Sequence, residues 1–144
     1  MTNYSYSVEH VHALRVFAFA HGFSAPPGFW RASDEELQAV YNGIGPDRWS
    51  TKFRGWVTRA LDRFEFAALP HDWEYTYSPK TYWAFTTANA RFATNCWIEG
   101  WATKRWSVIP LGFLLAIVCQ LFGWSGYATA APPDSVDGPE TDSD

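Results

Sequence analysis

His71-Asp72-Trp73-Glu74-Tyr75 sets an imidazole, two carboxylates and a phenol within five residues. On a helix, His71 and Tyr75 share a face because they are four apart, and Asp72 lies about 100° round from His71. An imidazole beside a carboxylate can move protons near neutral pH or ligate a metal. As ligands of a metal phosphohydrolase, His71 and Asp72 would need a further His upstream and an Asp downstream, all packed close together. The only aspartates after Asp72 lie in the tail from Asp134 onward, which counts against that chemistry. A serine nucleophile in a G-x-S-x-G elbow is absent, since Gly123-Trp124-Ser125-Gly126 does not fit the pattern. His10, His12 and His21 have no acidic or cysteine partner at metal-ligand spacing and read as surface or helix-capping residues.

The elements that must position these groups read as helices. Arg54 to Tyr75 has Trp56, Val57, Ala60, Leu61, Phe64, Ala67 and Ala68 at threes and fours, which predicts a helix carrying the His71 motif. Pro70 must kink that helix or restart it at a first turn. A second helix is predicted from Tyr82 to about Trp101, with Tyr82, Phe85, Asn89, Phe92 and Cys96 on one stripe. Asn89 is the polar member of an otherwise apolar face and needs a buried partner, for which His71 is the candidate. Upstream, Ser33-Asp34-Glu35-Glu36 is a capping box that starts a short helix bearing Leu37, Val40 and Tyr41. That helix ends in Asn42-Gly43-Ile44-Gly45-Pro46, where two glycines and a proline force a tight loop with exposed backbone.

Taken in order, Tyr41-Asn42-Gly43-Ile44-Gly45, His71-Asp72-Trp73-Glu74-Tyr75 and Ala88-Asn89-Ala90-Arg91-Phe92 resemble the calcium-dependent phospholipase A2 superfamily, particularly its short prokaryotic and phage-type members. That family combines a Y-C-G-x-G calcium loop, a helix with H-D-x-C-Y and a second helix with C-D-x-x-F. HDxxY alone is a weak signal, and the ordered three-part set over residues 41–96 is more specific. The resemblance implies an all-α fold: a small bundle in which two packed helices carry the HDxxY and NxxF motifs beside a glycine-rich loop. It implies that the carbonyls of Tyr41, Gly43 and Gly45 and the Asp72 carboxylate bind Ca²⁺, a ligand set of hard oxygens. It implies further that His71 is the general base for a water attacking the sn-2 ester. Calcium and the Gly43 N–H would stabilise the oxyanion, and Tyr75 would help hold the partner of His71.

The departures from the family pattern are at its disulfide cysteines and its dyad aspartate. Asn42, Ala67, Ala68, Glu74 and Ala88 stand where the family has cysteines, consistent with a reduced setting. Asn89 stands where the family has aspartate. Its amide oxygen can accept the imidazole N–H and fix the tautomer, but it lacks the charge that stabilises an imidazolium. The main expectation is therefore Ca²⁺-dependent hydrolysis of membrane phospholipids. The alternative is a weakly active or inactive phospholipase A2-like fold retained as a membrane-binding or virion component.

Composition sets the surroundings. Of 144 residues, 47% are hydrophobic and 19% aromatic, with nine Trp, seven Tyr and eleven Phe, which excludes a disordered chain. Trp and Tyr favour lipid interfaces, although many such rings simply fill cores. A net charge of −4 argues against a nucleic-acid partner. Five of the fifteen acids lie between Asp134 and Asp144, leaving residues 1–133 with eleven bases and ten acids. This acidic, Pro-rich stretch, 132–144, reads as a disordered tail. Trp106 to Ala131 has no charged residue and follows Lys104 and Arg105, so 106–131 reads as a single transmembrane helix flanked by Trp101, Trp106 and Trp124. Its alternative is a buried core helix followed by a loop. The positive-inside rule then puts the phospholipase-like domain, 1–105, in the cytoplasm and the tail outside. Such an inward-facing domain would meet little free calcium. Residues 8–23 are too short and too polar for a second span, and no secretion signal is expected.

Overall fold

Reciprocal capping opens the helix expected after Ser33. In the computed structural model the Ser33 N–H donates to Glu36 Oε2 (2.8 Å) and the Glu36 N–H to Ser33 Oγ (3.1 Å). The structure describes residues 7–41 and 63–130, and among these there are seven helices and no strand. They are α1 (Val8–Ala20), α2 (Pro27–Arg31), α3 (Asp34–Tyr41), α4 (Glu65–Tyr77), α5 (Tyr82–Thr103), α6 (Val108–Phe122) and α7 (Trp124–Thr129). The described part is thus all-α, as expected.

Helix α1 starts at Ser7, whose Oγ accepts the His10 N–H at 3.2 Å, and stops at Gly22, whose φ of +70° lies in the left-handed region. Val11, Leu14 and Ala18 form its buried face. Asp34 at the start of α3 binds both Arg15 (2.6 Å) and His12 (2.7 Å), tying α3 to α1. His12 and His21 therefore have structural partners, the latter through a 2.9 Å contact of Nδ1 with the Phe17 carbonyl at the end of α1.

The helix carrying His71 is one element from Glu65, and Arg63 and Phe64 are not helical. Residues 54–62 of the predicted helix lie outside the described residues. Pro70 sits at the sixth position of α4, and the helix continues through it to Tyr77. The missing proline N–H removes one bond to the preceding turn, and burial of Ala67, Ala68, Leu69 and Pro70 offsets that loss. One buried cluster joins α4 to α5 and α6 through Phe64, Ala67, Phe92, Cys96 and Leu115, and a second joins it to α1 and α3 through Leu14, Leu37, Tyr41 and Leu69.

Across 106–130, the described part of the segment expected to be a single helix, the chain forms two helices. Helix α6 spans 15 residues, the chain breaks at Gly123, and α7 adds six more. Among the described residues no helix is long and apolar enough to cross a membrane. Fifteen residues rise about 22 Å, less than the roughly 30 Å of a hydrocarbon core. The break has a packing reason: a Cβ on Gly123 would stand 2.5 Å from the Cys119 carbonyl oxygen and 3.1 Å from Tyr75 Oη. Helix α6 instead lies along α5, where Gly112 lets the backbones approach, since a Cβ there would meet Cys96 Cβ at 2.4 Å. Its inner face buries Val108, Leu115 and Ala116, while Phe113, Leu114, Ile117 and Leu121 are exposed. Both cysteines are free thiols.

Two buried polar groups in α5 hold the bundle together. Asn95 accepts the Ser24 N–H (2.8 Å) and donates to the Ser24 carbonyl (2.9 Å), fastening the α1–α2 connection. Glu99, fully buried, accepts the Ala67 N–H at 3.0 Å in the first turn of α4, and its other oxygen, Oε1, has no hydrogen-bond partner. Burial, reinforced by Glu65 and opposed by the Ala67 N–H and Arg105, pushes the Glu99 carboxyl from 4.5 up to about 7. The folded state therefore holds a proton that the unfolded chain releases near 4.5. The associated stability is fully present below about pH 4.5 and is lost as pH rises through about 7. A shift of that size corresponds to roughly 3 kcal/mol. Glu99→Gln keeps the oxygen that accepts from Ala67. Its stability gain over the parent should grow from near zero in acid to roughly 3 kcal/mol above neutrality, read by denaturant melts. A gain independent of pH would show that ionisation of Glu99 is not the cause.

Candidate active site

The second turn of α4 points the His71 ring at α5. His71 Nε2 lies 3.1 Å from Asn89 Oδ1, and Tyr75 Oη donates to the same oxygen at 2.8 Å. The i, i+4 pairing of His71 with Tyr75 and the pairing of Asn89 with His71, both expected from the sequence, are thus present. All three sit in a tight setting: His71 is 6% and Asn89 3% exposed, and the imidazole packs 4.7 Å from the Phe92 ring and 4.2 Å from Tyr75. Burial holds the Tyr75 phenol far above its usual range, so it acts as a neutral donor.

The opposite side of Asn89 meets a residue that sequence reasoning missed as a site member. Asn89 Nδ2 donates to Gln120 Oε1 at 2.8 Å, and Gln120 Nε2 donates to Tyr82 Oη and Thr86 Oγ1, each at 3.1 Å. Gln120 belongs to α6, within the segment read as membrane-spanning. A signal was there, because Gln120 is a lone amide in an apolar helix, the same pattern that singled out Asn89. With the Asn89 NH₂ group committed to Gln120, His71 must donate from Nε2. That leaves Nδ1 with the lone pair, the nitrogen that can take up a proton.

Asp72 follows His71 on the rim, with its Oδ1 3.8 Å from His71 Nδ1 and its side chain 24% exposed. Burial pushes its carboxyl up, against the opposing pull of His71. Glu74, buried one turn from His71, is neutralised by Arg91 at 2.9 Å, with burial raising its carboxyl and Arg91 lowering it. Cys119 stands beside Tyr75 and Asp72, and burial pushes its thiol up to about 12, so it is no nucleophile here.

The expected loop is placed only at its start. Tyr41 ends α3, buried in the cluster that also holds Ala68 and Leu69 of α4. Gly43 and Gly45 lie outside the described residues. Among the described residues no cluster of three or more His, Cys, Asp or Glu side chains stands close enough to hold a metal. The expected calcium set draws on one carboxylate and three backbone carbonyls. No family model matches the chain, and neither does any curated protein or solved structure.

Proposed function

We propose that this chain is a calcium-dependent phospholipase A2-like esterase that hydrolyses the sn-2 ester of membrane phospholipids. The observation that carries the reading is the His71–Asn89–Tyr75 arrangement: a buried imidazole whose Nε2 is committed to a fixed acceptor and whose Nδ1 keeps a lone pair. Such a ring takes a proton from a water at Nδ1 as the water attacks, and returns it to the leaving alkoxide. Asn89 orients the ring and Tyr75 holds Asn89, while Phe92 limits access of bulk water to the imidazole face.

Asp72, with the carbonyls of Tyr41, Gly43 and Gly45, would hold the calcium, which in such enzymes polarises the ester carbonyl. Asp72 suits the part: its side chain is 24% exposed, burial raises its carboxyl, and the imidazole of His71 lies 3.8 Å away. A hard cation beside it would offset the burial penalty. Contact with the bilayer falls to the exposed side of α6, where Phe113, Leu114, Ile117 and Leu121 form an apolar ridge. Trp106 with Lys104 and Arg105 lies before the ridge and Trp124 after it.

A membrane-binding component without catalysis is the second reading. It is favoured by Asn89, whose amide cannot neutralise an imidazolium. Calorimetric titration of Ca²⁺ into the full chain and into Asp72→Asn separates the two. Saturable binding, lost in the variant together with calcium-dependent release of fatty acid from phospholipid vesicles, is the expected result. Calcium affinity unchanged in Asp72→Asn would refute the ligand set, and absence of both binding and hydrolysis in the parent would leave the membrane component.

A further inference from the structure

Charge is divided unevenly over the surface of the bundle. Helices α1 and α3 pack on α4 and carry the exposed acids of the described residues, Glu9, Glu35 and Glu36. Helix α6 packs on α5, and from Tyr82 to Ala130 the charged residues are Arg91, Glu99, Lys104 and Arg105. Arg91 pairs with Glu74 at 2.9 Å, and Glu99 is fully buried. Lys104 and Arg105 are exposed, and among the described residues neither forms an ion pair. The exposed surface of the α5–α6 hairpin therefore presents these two cations and no carboxylate.

Both cations stand in the turn between α5 and α6. Lys104 ends α5 with a φ of +59°, the one described non-glycine residue in the left-handed region. That backbone favours glycine, so a lysine there carries strain. Three indoles surround the turn: Trp97, Trp101 and Trp106 are 49%, 49% and 50% exposed, half covered and half in water. Trp101 and Trp106 meet edge to face with centroids 4.6 Å apart, Trp97 follows at 6.2 Å, and Lys104 Nζ lies 5.9 Å from the Trp106 centroid. The hairpin holds them firmly, because the helices touch at Gly100, where a Cβ would stand 2.5 Å from Ile109 Cγ1.

From this arrangement we infer that the turn between α5 and α6 docks on an anionic lipid surface, with the indoles at headgroup depth and Lys104 and Arg105 on the lipid phosphates. An indole that is half apolar and half wet belongs at the boundary of lipid and water. A cation beside it gains from the negative potential of an anionic leaflet, by about fivefold in affinity for each Lys or Arg. No exposed acid on the hairpin opposes that attraction. Two cations are too few to neutralise a nucleic-acid backbone, and the uncharged ridge that follows along α6 suits acyl chains instead. Glycine at position 104 would relieve the backbone and remove the ammonium, so the docking role accounts for the strained lysine. The inference rests on the membrane-acting function proposed above, and it adds the class of lipid and the end of the hairpin that meets it.

The test uses the full chain and vesicles of phosphatidylcholine, with or without phosphatidylglycerol, in EDTA so that neither calcium bridging nor hydrolysis intervenes. Partition is read from the blue shift of tryptophan emission and from co-sedimentation. Binding is expected to be tighter with phosphatidylglycerol and to weaken as salt rises. Lys104→Gln combined with Arg105→Gln should lower affinity for the phosphatidylglycerol vesicles about thirtyfold, the worth of two cations, and leave partition to phosphatidylcholine unchanged. Lys104→Gly separates docking from folding. It relieves the left-handed backbone, so the thermal melt should rise, while affinity for the anionic vesicles falls about fivefold. Unchanged affinity in either variant, or equal partition of the parent to the two compositions, would overturn the inference. So would a stable dimer in sedimentation that binds neither vesicle, since a second copy would then cover this face. Adding calcium afterwards separates the two readings. Binding that prefers phosphatidylglycerol without any lipid hydrolysis sustains the docking site and refutes the esterase, and hydrolysis without that preference does the reverse.

Discussion

Replacing His71 by glutamine is expected to lower phospholipid hydrolysis by about two to four orders of magnitude while leaving the fold intact. The loss follows from removing the imidazole, whose Nδ1 lone pair is directed away from Asn89 and is the proposed proton acceptor. The fold survives because the glutamine NH₂ group can still donate to Asn89 Oδ1, in place of the 3.1 Å bond made by Nε2. Steady-state release of fatty acid from vesicles, beside a thermal melt of each protein, reads both parts. Hydrolysis undiminished in His71→Gln would end the general-base assignment. The companion change is Asn89→Asp, which adds the missing charge where the imidazolium forms and should raise the rate tenfold or more. The surrounding bonds permit it: Gln120 can turn its NH₂ group to the new carboxylate, and Tyr82 and Thr86 can then donate to its oxygen. A collapse of rate in Asn89→Asp would mean that the amide has a part other than orienting His71.

Ending the chain after Arg105 is expected to abolish cooperative folding. The change removes Val108, Leu115 and Tyr127, all buried, and Tyr127 also donates to the Pro79 carbonyl at 2.6 Å. At about 2 kcal/mol for each large buried side chain, the loss approaches 6 kcal/mol. A domain's whole stability is about 5–15 kcal/mol. The truncation also uncovers Phe92, Cys96 and Asn89, the last losing Gln120 as acceptor. Near-ultraviolet circular dichroism and a denaturant melt should show no sigmoidal transition. A cooperative melt for residues 1–105 would show that α6 and α7 are appended to a core complete without them. Calcium and activity measurements accordingly need the whole chain.

The elements whose capping is local were legible. Ser33 and Glu36 cap each other because a three-residue spacing brings them together in any helix, and His71 meets Tyr75 because a four-residue spacing does the same. Asn89 could be matched to His71 because a buried amide on an apolar stripe must find a polar partner, and few polar groups were on offer. The break between α6 and α7 within 106–130 was not legible, for a related reason. An apolar run announces that it will leave water, and the same run suits lipid or the flank of another helix. Gly112 and Gly123 have packing roles that an apolar run does not disclose. They proved to be the points where α6 touches Cys96 and where the chain turns under Tyr75.

What the sequence by itself determined is helical type, the capping of α3, and the pair of groups His71 and Tyr75 on one face, all consequences of interactions within a turn or two. Tertiary structure alone decided that α6 lies on α5, that Gln120 closes the ring of bonds around Asn89, and that Glu99 reaches the first turn of α4. Those contacts join residues about 30 apart in the chain. Hydrophobic periodicity says which face is buried but carries no record of the surface that buries it. The partner is chosen by the fit of whole helix faces, and here that fit turns on glycines whose missing side chains admit a neighbour.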